Sequence, residues 1–330
     1  MSIEIIEPNL QIARGKVPGV RGIRALGRNP DVDTATVPEN IWDAGGIYTP
    51  PTTNRIHNVV STDVNDVGTV LSAGTIDTHN GTDISDLSAT FQTDTVSVGD
   101  LIVFDTIGVI SAITAIPTES TLTIDPLFSP SISVADSAYR VVTPGSTGAA
   151  LLQISGGQTT TTELINEFIV LNGTTNVPTV RAYYRMTRMF LHSAGVTGDA
   201  EGTITLTAVT DATVTAQINP GAGTSRNAFY RVPLGKTAYL VSWYGSVFRT
   251  GVASDAMALL AFKSRLFPSA SSVPIDQLDM TISVGSMDTP HSFKPYIPIP
   301  QGVDIWIECV DVSDNNSQIG AGFELHLVDN

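Results

Sequence analysis

Thr203 to Ala208 alternates strictly, with Ile204, Leu206 and Ala208 on one side and Thr203, Thr205 and Thr207 on the other. The last residues repeat the pattern: Phe323, Leu325 and Leu327 alternate with Glu324 and His326. A period of two over five or more residues places one face of an extended strand in a core and the other outside it. The connections between such runs are turn sequences, among them Asn219–Gly223 (NPGAG) and Pro233–Lys236 (PLGK). This patterning predicts an all-β fold whose main part is a jelly-roll-like β-sandwich.

Thr237–Phe248 is apolar on both faces, which predicts a central strand covered on both sides or facing another subunit. Asp255–Phe267 has helical propensity, but its place between strands favours a strand. His291–Pro300 is proline-rich and reads as an edge or a loop.

Two stretches depart from this texture. Residues 1–58 carry six prolines and six glycines at intervals that break a helix or a central strand, yet keep apolar residues such as Ile23, Ile41, Trp42 and Tyr48. Arg14, Lys16, Arg21, Arg24 and Arg28 fall within this stretch, in a chain of formal charge −15. The combination predicts an extended arm that orders on an acidic surface of a neighbouring subunit, with those five cations, Trp42 and Tyr48 as its docking residues. Removing residues 1–58 is then expected to leave a folded sandwich. From about Val70 to Val142 come five or six short strands, which predict a small β-barrel or sandwich module inserted at 70–147. The main sandwich is then 59–69 plus 148–330.

Charged residues make up only 15% of the chain, so its surface is covered by Thr, Ser and Asn or by contacts with other chains. The negative charge disfavours nucleic acid and anionic membranes as partners. The first residues lack the layout of a signal peptide, and no apolar run has the length of a membrane span. The single cysteine, Cys309, shares a strand face with Ile305 and Ile307 and reads as a small core residue.

There is no Gly-x-Ser-x-Gly elbow, phosphate loop or His-Glu-x-x-His. The five histidines are scattered singly. Asp311, Asp314, Asn315 and Asn316 lack the spacing of a calcium loop and read as a turn. Trp42, Trp243 and Trp306 read as core or interface residues rather than a sugar platform. The expectation is a protein that is not an enzyme, with no catalytic residue, cofactor or metal.

The segments GRNPDVDT, IWDAGGIYTPPT, FIVLNGTT and the terminal GFELHLVD resemble a family of virion structural proteins of tailed bacteriophages, especially marine and cyanobacterial phage forms. The resemblance covers about 12–67 and 163–330. In that family the segment corresponding to NVVS runs on directly to the strand before LNGTT, so the intervening block here is an insertion. The resemblance implies a capsid decoration or cement protein that stabilises the head as a homotrimer. Its partners would be the major capsid protein or other virion proteins, and its location the virion, assembled in the host cytoplasm. The alternative it leaves is a neck, tail or fibre protein whose inserted module contacts a host receptor or tail partner.

Overall fold

The computed structural model describes residues 8–105, 108–125, 137–145, 147–160, 163–249, 256–266, 274–284 and 291–330. Residues 1–7, the start of the expected arm, lie outside them. One short helix, α1 (Pro8–Ala13), precedes β1 (Val20–Val32), β2 (Glu39–Asn40) and β3 (His57–Ser61). The stretch read as an insertion holds β4 (Gly68–Thr75), β5 (Thr78–Asn80), β6 (Asp83–Ser85), β7 (Leu101–Phe104), β8 (Val109–Thr118), β9 (Thr121–Ile124) and β10 (Ala138–Pro144). Then follow β11 (Ala149–Gly157), β12 (Ile165–Val170), β13 (Val177–Pro178), β14 (Arg185–Ala194), β15 (Ile204–Ala208) and β16 (Val214–Ile218). The chain ends with β17 (Phe229–Arg231), β18 (Lys236–Arg249), β19 (Met257–Leu266), β20 (Ile275–Ser283), β21 (His291–Ile299), β22 (Val303–Val312) and β23 (Ser317–Asp329). The fold is all-β, and its registered strand pairs are antiparallel.

Three groups of strands each enclose a core. In the first, the sheet β1-β23-β18-β21 shares a core with the sheet β17-β22-β19-β20. Phe262 of β19 meets Trp243 of β18 and Phe323 of β23 edge-on, with ring centroids 6.1 and 5.3 Å away. Cys309 is buried here beside Ile305 and Ile307. In the second, β12-β11-β14 and β13-β3-β15-β16 enclose Val59, Leu152, Ile154, Met189, Ile204 and Leu206. The alternation of β15 is thereby explained, because Ile204, Leu206 and Ala208 are all buried. The region after residue 148 therefore has two cores where one sandwich was expected.

The third group is the sheet β4-β10-β7-β8-β9-β6-β5. Its two ends, β4 and β5, are consecutive in the chain, so one bent segment borders both sides and the sheet closes on itself around Ile102, Phe104, Ile113, Leu122 and Tyr139. The module is also fixed to the body. Val103 and Val142 pack on Leu151 and Phe168, and Arg140 binds both Asp105 and the Phe168 carbonyl.

Residues 20–58 are not an extended arm lying on a neighbour. β1 pairs with β23 over most of its length, from Val20↔Val328 to Asn29↔Ile319. The glycines that read as breaks have specific places. A side chain at Gly27 would strike the Ile41 carbonyl, while Gly45 and Gly46 take φ of 68° and 67° in the turn after Trp42. Trp42 and Tyr48, only 5% and 7% exposed, cluster with Phe229 and Trp306 of the same chain. They are therefore core residues and not docking residues.

This cluster lies where the first and second groups meet, next to a buried ionic centre. Arg185 of β14 donates to Asp304 of β22 (Nη2–Oδ2 2.7 Å) and to the Pro51 carbonyl (2.6 Å). Arg231 of β17 binds the other carboxylate oxygen at 3.2 Å. Both guanidiniums lie over the Tyr184 ring, 3.8 and 4.8 Å from its centroid. The segment around 39–51 is thus the filling between two β units.

Candidate docking surface

Two basic residues of the N-terminal stretch, Arg21 and Arg24, line one groove. Two residues after α1 the chain turns at Gly15, which takes a φ of 65°. The next residues lead into β1, leaving a groove of about 630 Å³ between the helix end and the outer face of the first sheet. Ile12, Ala13, Val20, Arg24, Val241 and His326 line it. Val241 faces outward with Thr237 and Tyr239, and the bulge between Leu240 and Ser242 then turns Trp243 into the core.

Arg21 pairs with Glu163 at 2.7 Å. Arg24 reaches across the sheet, donates from Nε and Nη2 to the Tyr244 hydroxyl at 3.3 Å each, and lies 3.9 Å from Glu324. Its pKa is raised, chiefly by the hydrogen bond to Tyr244. Arg188 of β14 lies over Phe190. Burial, and then the nearby charge of Arg24, push its pKa down. Arg14 and Lys16 flank Gly15 and are exposed, with no ion pair among the described residues. Arg21, Arg24 and Glu324 therefore line the groove itself, with Arg14 and Lys16 at its rim and Arg188 near Arg24. Arg28 lies farther along β1 and donates to Gln318 at 3.0 Å, while its Nε is buried with no partner among the described residues.

The acidic surface that β1 meets is thus partly its own chain's, through Glu163 and Glu324. These two residues, Tyr244 and Arg188 carried no signal in the sequence, because they come from strands far from β1 in the chain. The outer face of the sheet has no second layer over it among the described residues, and Leu26, Phe248 and Tyr296 are 37%, 56% and 40% exposed there. The apolar outer residues of β18 are therefore not covered by a second layer among the described residues.

β1 also has a free edge. The N–H of Asp329 bonds the Gly19 carbonyl, so Gly19↔Asp329 is a hydrogen-bonded pair. By the alternation of an antiparallel ladder, Arg21, Ile23 and Ala25 also point their backbone groups at β23. Those of Gly22, Arg24 and Leu26 point away from the sheet, where no strand among the described residues pairs with β1.

The other candidates resolve as structure. Asn315 accepts from the Thr34 N–H and hydroxyl, Asp33 accepts from the Asn316 N–H, and Asp314 pairs with Arg249. These bonds make the Asp/Asn-rich loop a locked turn. Burial pushes the Cys309 thiol up to about 12, far from a reactive thiolate. Among the described residues, no group of three or more His, Cys, Asp and Glu is placed to hold a metal ion. No helix among them is long and apolar enough to cross a membrane. Compared with known protein families and with curated proteins, the chain matches none.

Proposed function

We propose that this chain is a non-enzymatic structural protein of a tailed-phage particle, acting as a capsid decoration or cement protein on the outside of the head. The observation that carries the reading is the cationic groove on a chain of net charge −15. Local charge opposed to the net charge favours docking to an acidic protein surface over non-specific association. The resemblance of GRNPDVDT, IWDAGGIYTPPT, FIVLNGTT and GFELHLVD to virion structural proteins supplies the setting, with the major capsid protein as partner and a homotrimer as the assembly. Within this reading the two sheets facing each other across Phe262 are the jelly-roll-like sandwich of the family.

The closed module at 68–144 is a second surface, fixed to the body by Arg140 and the Val103–Phe168 contact. It favours a second reading, a neck, tail or fibre protein in which the module meets a receptor or tail partner. Quantitative mass spectrometry of purified particles separates the two. A copy number comparable to the capsid subunits supports decoration, a few per cent of that number places the chain in the neck or tail, and absence from particles overturns both.

A further inference from the structure

We infer that the edge of β1, beside the groove, receives an extended acidic segment of another polypeptide, which adds to the sheet as a strand along Gly22–Leu26. The inference rests on the reading of this groove as a docking surface and names what docks there.

The two edges of the sheet differ. β21, at one edge, carries Pro295 and Pro298, and a proline has no N–H to offer an added strand. β1, at the other edge, has no proline before Pro30. Gly22, Arg24 and Leu26 are exposed, and each presents one N–H and one C=O outward. Strand addition satisfies such groups with main-chain bonds and leaves specificity to alternate side chains.

The side chains select the occupant. Arg21 and Arg24 line the groove, Arg14 and Lys16 flank Gly15 at its rim and Arg188 lies near Arg24, while among the described residues Glu163 and Glu324 pair with Arg21 and Arg24. Arginines on an edge strand also guard against pairing with the same strand of a second copy, since that would set arginine near arginine. A segment bearing glutamate or aspartate at alternate positions meets no such repulsion. With its acids on the face of Arg24, the apolar residues between them face the other side of the sheet, beside Ile23.

The test uses the full chain and a labelled short peptide of alternating glutamate and valine, with a lysine–valine peptide and a single-stranded oligonucleotide as comparators. The acidic peptide should bind at least about tenfold more tightly than the basic one, an advantage that weakens as salt rises. Amide hydrogen exchange at Gly22, Arg24 and Leu26 should slow on binding. Arg24→Glu combined with Arg188→Glu should abolish the preference, in a variant whose thermal unfolding shows that it folds. Equal binding of the two peptides, protection away from β1, or displacement of the peptide by the oligonucleotide would overturn the inference. Capsid binding by the same double variant scores the underlying reading separately. Undiminished capsid binding overturns the docking groove itself. Lost capsid binding without any peptide preference overturns strand addition alone.

Discussion

The Asp66 carboxylate accepts the backbone N–H of Ala149 at 2.7 Å, joining the point where the chain enters the closed module to the point where it returns. The same oxygen accepts from the Glu201 N–H (2.9 Å), and the other accepts from the Gly202 N–H (2.9 Å) and the Ser61 hydroxyl (2.5 Å). Beside it the Gly145 N–H bonds the Val67 carbonyl, and the Gly68 N–H bonds the Leu171 carbonyl. One fully buried carboxylate therefore ties the module's root, β3 and the loop before β15 into a single node.

Replacing Asp66 by Ala should leave three backbone N–H groups without their acceptor. An unmade hydrogen bond to a buried group costs about 1–3 kcal/mol, so the summed loss is expected to exceed about 3 kcal/mol. Asp66→Asn keeps a single acceptor oxygen and should fall between Ala and the parent. Urea unfolding followed by tryptophan fluorescence measures both. A loss under about 1 kcal/mol for the alanine variant would show that the node does not hold the junction.

The Arg185–Asp304–Arg231 centre predicts a non-additive result. Asp304→Leu alone strands two guanidiniums, one fully and one largely buried, and should destabilise by about 3–5 kcal/mol. Adding Arg185→Met removes the more deeply buried of the two stranded charges and should recover a large part of that loss. A double-mutant cycle on unfolding free energies reads the coupling. If the double variant is less stable than Asp304→Leu, the hydrogen bonds to Pro51 and Tyr184 outweigh the charge pairing.

Much of the strand content was legible because burial on one face writes itself as alternation. β15 and β23 bury the residues that the pattern assigns to a core. β19 forms despite its helical propensity because pairing with β22 and β20 on either side decides the matter. Residues 20–48 were misread because proline and glycine spacing reports local chain breaks and says nothing of distant partners. Gly27 is there for the close approach of the Ile41 backbone, and Pro30 lies near the end of β1, where its register with β23 shifts. The arginines marked the groove, but Glu163, Tyr244 and Glu324 reach it only through the fold. The division of the body into two cores was illegible for the same reason, since it depends on which distant strands pair.

Asp43 and His57 should give opposite pH dependences. Burial raises Asp43 from 3.8 to about 6 and lowers His57 from 6.5 to about 4. Between pH 4 and 6 the folded chain holds the Asp43 proton that the unfolded chain has released, so this group's contribution falls as pH rises. In the same window the unfolded chain protonates His57 and the folded chain does not, so this contribution falls as pH drops. Each has a limiting slope of about 1.4 kcal/mol per pH unit, and in the parent they largely offset. Compared with the parent, Asp43→Asn should gain stability as pH rises from 4 to 6, whereas His57→Gln should lose it. Unfolding titrations in steps across this range check both signs, and parallel curves for the two variants would contradict the assignment.

Truncation separates the helix and turn from the strand that follows. Removing residues 1–16 takes away α1 together with Arg14 and Lys16, leaving β1 and its ladder to β23 in place. That chain should stay within about 1 kcal/mol of the parent, the range of substitutions outside the core. Removing residues 1–58 is different in kind. It strips β23 of one of its two neighbours, deletes Trp42 and Tyr48 from the cluster with Phe229 and Trp306, and takes away the Pro51 carbonyl that receives Arg185. A buried aromatic side chain alone contributes about 3–5 kcal/mol, and the newly bared edge of β23 would present unpaired backbone groups along most of its length. The longer truncation should therefore give insoluble protein or no cooperative transition by calorimetry, while the shorter one unfolds cooperatively near the parent's temperature. A soluble, cooperatively folded 59–330 fragment would mean that the N-terminal strand is an accessory to the body rather than part of it.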